Sequence, residues 1–371
     1  MIIQDVITIL EDLAPSHYAE DFDNVGLLVG DKNITVEGIL VTLDTLEAVV
    51  DEAIEKKCNL IVSFHPIIFK GLKKLTGKTY VERVVVKAIQ HNIAIFAIHT
   101  ALDNALLGVN DIICNTLGLV NKQILIPQKG TIKKLTTYVP NSSAELLRSK
   151  LFESGAGALG NYELCSFNTL GIGTYKGNEN SNPVIGKKGQ LQSEEETMIS
   201  VTFMKHRESQ VIKSLFEAHP YEEVAYEITT LDNINQNIGM GMIGELPNEV
   251  ESLSVLKLIK DKMKAGSLRY SAIHKNTIKK IAVLGGSGAF AISAAKAANA
   301  DLFVTADLKY HDFFTAEDSI ILADIGHYES EQYTKSFLVD YLSKKITNFA
   351  PALAASKVVL STTNTNPVKY L

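Results

Sequence analysis

Apolar residues recur along this chain in two rhythms. Val6, Ile9, Leu10 and Leu13 share one face of a helix that ends near Pro15. Residues 38–44 (GILVTLD) then have the dense apolar pattern of a strand, and residues 45–58 (TLEAVVDEAIEKKC) return to helical spacing. Residues 59–63 (NLIVS) form a second buried strand that runs straight into His65-Pro66. The same succession returns far downstream. Residues 280–286 (KIAVLGG) predict a strand and a glycine turn, residues 288–299 (GAFAISAAKAAN) a helix of small residues, and residues 301–305 (DLFVT) a buried strand before Ala306-Asp307. Ile39 to Leu60 and Ile281 to Leu302 are equal intervals of 21 residues. Two copies of one β–α–β motif are therefore expected. His65 and Asp307 fall at equivalent places, each at a strand's carboxyl end, the edge where open α/β sheets bind ligands.

A different pattern lies between the copies. Residues 134–139, 162–167, 196–203 and 225–231 read as strands, and residues 144–154 and 208–218 as helices. That order predicts an inserted α+β domain of the ferredoxin-like β-α-β, β-α-β type. The polar loop 177–189 belongs to it, and the glycine-rich run 237–245 marks the return to the core. At 371 residues the chain exceeds the roughly 250–300 that one core usually serves. The expected organisation is an α/β core half at 1–128, the insert at 129–235, and a second α/β half at 236–371. GMGMIG in the return segment matches GxGxxG in letters, but Glu245-Leu246-Pro247 breaks the run before any helix, which argues against a dinucleotide site. Gly285-Gly286-Ser287-Gly288 follows a strand and opens a helix. It is a tight strand–helix turn or, alternatively, an anion cradle.

Composition adds exclusions. Hydrophobic residues make up 46% and charged residues 21%, as in folded globular chains. A formal charge of -6 argues against tight nucleic-acid binding, which wants a basic surface. The three cysteines, Cys58, Cys114 and Cys165, form no CxxC pair, and Cys58 and Cys114 sit in apolar helical stretches as core residues. The first residues are acidic at Asp5, Glu11 and Asp12, unlike a secretory signal, and no run of about 18 uncharged apolar residues predicts a membrane span. A cytoplasmic location is expected.

Four segments place His or carboxylate groups where apolar runs end: Ser63-Phe64-His65-Pro66, residues 99–103 (HTALD), residues 305–312 (TADLKYHD) and residues 324–331 (DIGHYESE). His327 and Glu331 are four apart on a predicted helix, so an imidazole and a carboxylate stand on adjacent turns. His65 and Asp103 each follow an apolar strand, at 60–63 and 93–98. Together His65, Asp103, His327 and Glu331 form a mixed nitrogen and oxygen donor set suited to zinc first, or to manganese or iron. Lys309, Tyr310 and His311 stand near the same edge as phosphate or proton-handling groups, or as ordinary loop polarity.

At these residues the chain resembles the Nif-three-like family of dinuclear-metal-centre proteins, the GTP cyclohydrolase I type 2 homologues. The matching segments are Phe22-Asp23-Asn24-Val25-Gly26-Leu27, SFHPIIF at 63–69, HTALDNALLGVND at 99–111, TADLKYHD at 305–312 and DIGHYESE at 324–331. Ala218-His219-Pro220-Tyr221-Glu222-Glu223 resembles the CutA-like or PII-like insert of longer bacterial members. The resemblance implies a duplicated α/β core, one or two divalent metal ions per subunit held by His65, Asp103, His327 and Glu331 with Glu331 bridging, and a toroidal homohexamer. The chain departs from the family at Phe64, where a first histidine usually precedes the His-Pro pair. One of two ion sites thereby loses a donor, and His99 or water is the available replacement. Two functions follow as expectations: a metal-dependent hydrolase acting on a nucleotide such as GTP, or a non-enzymatic metal-binding regulator or scaffold with the insert as sensor or lid.

Overall fold

Short runs of Val, Ile, Leu and Ala become strands here because both faces of each run find apolar cover. The computed structural model describes residues 1–349 and 357–371. The chain divides into two units, Met1–Pro127 with Gln236–Leu371, and Gln128–Asn235.

The first unit holds two sheets. Strands β1 (Gly26–Val29), β2 (Ile39–Thr42), β3 (Leu60–Ser63) and β4 (Ala94–Ala97) are joined by a last strand, β15 (Val358–Leu360), in the order β1-β4-β3-β2-β15. All neighbours are parallel except β1 with β4. The second sheet combines β5 (Val120–Gln128), β10 (Asn235–Glu251), β11 (Arg269–Tyr270), β12 (Thr277–Ser287), β13 (Leu302–Ala306) and β14 (Ile321–Asp324), in the order β11-β14-β13-β12-β10-β5. Strands β12, β13 and β14 are parallel, and β11 and β10 run antiparallel to their neighbours β14 and β12. Ile39 pairs with Leu60, and Ile281 with Leu302, so the equal intervals of 21 residues correspond to one shared register. The duplicated α/β core is real.

Alternation along the strands divides the apolar residues between layers. Ile39, Val41, Leu60, Val62 and Phe96 join Ile281, Val283, Leu302, Val304 and Ala323 in one core between the two sheets. The intervening residues Leu40, Ile61 and Ile95 face Val49, Val50, Val84 and Ala88 of the helices Glu47–Glu55 and Tyr80–Gln90. Ala282, Leu284, Phe303 and Leu322 do the same in the second half. The halves differ in their second crossover. Strand β3 reaches β4 through the helix Tyr80–Gln90, whereas β13 reaches β14 through only the 3-10 segment Tyr310–Ala316. The end of the chain returns to the first sheet. Beyond β15, the buried Glu52 carboxylate accepts hydrogen bonds from Ser361 Oγ (2.6 Å), Thr362 N (2.7 Å) and Thr363 Oγ1 (2.7 Å), anchoring the final segment.

The second unit has strands β6 (Ile132–Pro140), β7 (Phe167–Lys176), β8 (Leu191–Met204) and β9 (Tyr226–Leu231), antiparallel throughout in the order β7-β8-β6-β9. Helices Ala144–Glu153 and Glu208–Ala218 follow β6 and β8, giving a β-α-β-β-α-β succession. Leu147, Leu151, Val211 and Leu215 of the helices pack on Leu135, Val139, Ile199, Val201 and Phe203 of the sheet.

One local expectation is corrected. The second strand of this unit is not at 162–167 but at Phe167–Lys176; Leu159 and Tyr162 instead close a tight bridge. Gly171 and Gly173 dilute the apolar pattern of the true strand, and its side chains are largely exposed. The glycine-rich run 237–245 follows directly on the resumption of the first unit at Gln236, inside the long strand β10. Its glycines serve close approach: a β-carbon on Gly239 would stand 2.2 Å from Ile126 O. Cys58 and Cys114 are buried and free, as core residues should be. Among the described residues no helix is long and apolar enough to cross a membrane.

Candidate metal centre

His65 stands just beyond β3. Its backbone N–H donates to Leu43 O (2.9 Å) and its carbonyl accepts from Ser63 Oγ (2.7 Å), which pins the turn into Pro66. His327 opens the short helix His327–Glu331 after Gly326, whose φ of +93° makes the sharp exit from β14. One helical turn then brings Glu331 beside His327. Asp103 does not end a strand directly. The chain makes one helical turn, His99–Asp103, between the strand and this carboxylate.

The structure brings three of the four expected donors together. One ligating atom each from His65, His327 and Glu331 lies within 4.8 Å of the others. His65 Nε2 is 3.1 Å, and His327 Nε2 3.3 Å, from the same atom, Glu331 Oε2. Neither approach is aligned as a hydrogen bond, and Oε2 is buried without a hydrogen-bond partner. Donor atoms 3.1 and 3.3 Å apart are close enough for one cation to touch all three. Asp103 stands outside this 4.8 Å group, but its Oδ1 is also buried without a partner.

A carboxylate orients each imidazole. His65 Nδ1 is 2.8 Å from Asp44 Oδ1, and His327 Nδ1 is 2.7 Å from Asp307 Oδ2. A carboxylate only accepts, so Nδ1 carries the proton and donates, and in the neutral ring the Nε2 lone pair faces Glu331. Asp44 is held in turn by Thr365 Oγ1, which donates to its Oδ2 at 2.6 Å. A third histidine repeats the device: His99 Nδ1 lies 2.8 Å from Asp23 Oδ1, and the His99 ring is 5.2 Å from that of His65.

The electrostatics fit a missing positive charge. Burial opposes ionisation of His65, yet Asp44 and Glu331 override it and raise its pKa to about 9. His327 is more open, with 41% of its side chain exposed, and Asp307 and Glu331 raise it to about 11 against partial desolvation. Burial would raise Glu331, but the two histidines win and hold it at about 2. At Asp103 the pull of the same two histidines is outweighed. Burial, then the Glu331 charge, push it well above the usual carboxylate range. A divalent cation among His65, His327 and Glu331 would satisfy Glu331 Oε2 and take over the role of the imidazolium protons. The residues present fit a zinc-type ion, with two imidazole nitrogens and carboxylate oxygens as donors.

The glycine turn serves this centre. Gly286 has φ +69°, and a β-carbon there would stand 2.5 Å from Glu331 Oε1 and 3.4 Å from His327 Cε1. Gly286 N donates to Ser330 Oγ (2.9 Å) and Gly285 N to Asn110 Oδ1 (3.0 Å). Those N–H groups are spent on the fold, so the segment is the tight turn and not an anion cradle. Phe64 is fully buried in the core between the sheets, with its ring 5.6 Å from His99. A cavity of about 420 Å³ opens beside His65 and His327, lined also by Arg269, Asp307, Asp324 and Tyr370. Lys309, Tyr310 and His311 do not line it. Tyr310 instead stacks edge-on with His311 and Phe314 on the exposed surface. Asp44, Asp23 and Gly286 were not foreseen as partners of the centre. The available signal was that Asp44 ends a strand at the same sheet edge as His65.

The model of the DUF34/NIF3 (NGG1p interacting factor 3) family matches residues 1–367. The chain is 36% identical over 374 residues to a GTP cyclohydrolase 1 type 2 homolog of Bacillus subtilis (strain 168), covering 99% of this chain and 98% of that one. It is 34% identical over 375 residues to the homolog of Staphylococcus aureus (strain COL), covering all of both chains. Its fold is similar to the crystal structure of a Bacillus cereus protein related to NIF3, with a TM-score of 0.85 and 34% identity over 100% of this chain and 99% of that one. With the duplicated core and the donor cluster in place, these similarities settle the family: the chain belongs to DUF34/NIF3.

Proposed function

We propose that this protein is a metal-dependent hydrolase acting on a nucleotide such as GTP, with its divalent ion held by His65, His327, Glu331 and Asp103. The observation that carries the reading is the pair of unpartnered buried oxygens, Asp103 Oδ1 and Glu331 Oε2, beside two imidazoles locked in the ligating tautomer and facing a cavity of about 420 Å³. That size suits a small molecule. A zinc-type ion supplies Lewis acidity and activates water at neutral pH. Around it, Asp44 and Asp307 fix the imidazole rings. Arg269 donates to Leu308 O and pairs with Asp324, so its guanidinium is fixed at the cavity wall with its remaining N–H groups available as donors to a phosphate. The names of the homologs in Bacillus subtilis and Staphylococcus aureus support the choice of GTP as first substrate to try. Homohexamer assembly is part of the proposal on the family resemblance, and light scattering giving six chain masses tests it.

A second reading is favoured by Phe64. With a buried phenyl group beside His99, a second ion has one donor fewer, and a protein holding one ion is suited equally to sensing or scaffolding. Elemental analysis followed by GTP turnover with and without chelator separates the two. The hydrolase reading expects turnover that chelator abolishes, metal restores and Glu331→Gln eliminates. Stoichiometric metal with no turnover of any nucleotide supports the regulator.

A further inference from the structure

The helices of the second unit cover one face of its sheet, and the other face carries a cavity of about 600 Å³. Tyr138, Tyr175, Met198 and Tyr221 line it, so its walls are largely aromatic. Glycines make the space. Gly171 pairs with Glu196 across strands β7 and β8, and Gly173 lies one step further along the same face. A β-carbon on Gly171 would meet nothing within 4 Å, while one on Gly173 would stand 2.1 Å from Glu196 Oε2.

Glu196 is the one feature of this cavity that packing does not explain. It lies on the face without helices, yet it is only 8% exposed. Its Oε1 accepts a hydrogen bond from Tyr221 OH at 2.9 Å, and among the described residues no donor is paired with Oε2. Tyr221 comes from the His219-Pro220-Tyr221 segment. There His219 is buried and paired through Nε2 with Tyr138 O at 2.9 Å, so the tyrosine is placed by a fixed backbone turn. Glu222 and Glu223 also line the space, opposed by the single cation Lys176. A carboxylate fixed through one oxygen by Tyr221, with the other open to the cavity, is a ready acceptor for a donor that enters it.

We infer that this cavity is a second ligand site, separate from the metal centre, that takes a small planar molecule presenting adjacent N–H donors to Glu196, as an amidinium or a guanine-type edge does. The paired donors meet the carboxylate oxygens, and the ring lies among Tyr138, Tyr175 and Tyr221 over the glycine floor. The site gives the inserted unit a ligand to respond to, whatever the metal centre does.

Titration calorimetry on the full chain tests this with benzamidinium chloride and guanosine as probes and benzamide, which replaces one donor by an acceptor, as control. The expected result is saturable binding of one benzamidinium or one guanosine per chain, with benzamide at least about tenfold weaker. Glu196→Gln weakens the bound probe by roughly tenfold or more. Gly171→Leu fills the cavity from a position with free space and abolishes binding while the protein stays folded. Binding of benzamidinium alone identifies cationic amidines as the ligand class; binding of guanosine identifies the neutral nucleobase edge. Absence of saturable binding by both probes, or binding that survives both substitutions, overturns the inference.

Discussion

Gly286 and Glu331 fit so closely that a β-carbon on the glycine would stand 2.5 Å from Glu331 Oε1, at a backbone φ of +69°. The glycine turn at the end of β12 therefore admits the carboxylate. Gly286→Ala should lower metal affinity at least about tenfold, because the displaced carboxylate loses its alignment with the histidines, and should cost roughly 1 kcal/mol of backbone strain besides. Gly118→Ala is the control. Gly118 has φ +78° with nothing within 4 Å of an added β-carbon, so it pays the strain alone and keeps wild-type metal affinity. Competition with a chromophoric chelator, read beside thermal melts, separates the two effects.

Asp307 and Asp44 touch the imidazoles at Nδ1 and hold them in the ligating tautomer. Asp307→Asn leaves the packing almost unchanged but offers an amide that can turn its NH2 toward the ring. Metal affinity should fall about 10–100-fold, with a similar loss in Asp44→Asn. The chelator competition assay measures both, and unchanged affinity in both variants would remove these residues from the centre.

Asp103 carries a buried oxygen without a partner and a pKa well above the carboxylate range. In the metal-free protein this is a burden. The folded state keeps a proton that the unfolded chain releases near pH 4, so the contribution of Asp103 to stability declines as pH rises above that value. Asp103→Asn should therefore stabilise the chelator-treated protein at neutral pH by on the order of 1 kcal/mol. Its advantage over wild type should shrink to nothing toward pH 4. The same variant should bind metal more weakly. Urea melts from pH 4 to pH 8, with and without zinc, test both signs.

Phe64 is fully buried with its ring 4.9 Å from that of His65 and 5.6 Å from that of His99. Phe64→His places an imidazole between two existing ones. The metal content, measured by plasma mass spectrometry after dialysis, should rise from about one toward two ions per chain. No rise would mean that the phenyl group does not occupy a donor position.

Much of this was legible in the sequence because it is local. The two β–α–β copies declare themselves through apolar runs at one spacing, and both align in the same register, Ile39 with Leu60 and Ile281 with Leu302. His327 and Glu331 could be paired from a four-residue helical interval. What was not legible depends on contacts between distant segments. The carboxylates that turn the imidazoles, Asp44 for His65 and Asp23 for His99, lie 21 and 76 residues away from them in sequence. Gly286 looks like any strand–helix glycine until Glu331 is placed against it. The edge strand Phe167–Lys176 was hidden for the opposite reason: Gly171 and Gly173 erase the alternation that marks a strand, and the space they leave belongs to a cavity rather than a core.

The central claim is that His65 and His327, from the two copies of the core, share one ion with Glu331. Anomalous diffraction at the zinc edge, on crystals grown with stoichiometric zinc, tests it most directly. The account predicts a single strong peak within coordination distance, about 2.0–2.2 Å, of His65 Nε2, His327 Nε2 and a Glu331 oxygen, and its loss in Glu331→Gln. A zinc-loaded crystal with its anomalous peak elsewhere, and none among these three side chains, would contradict it.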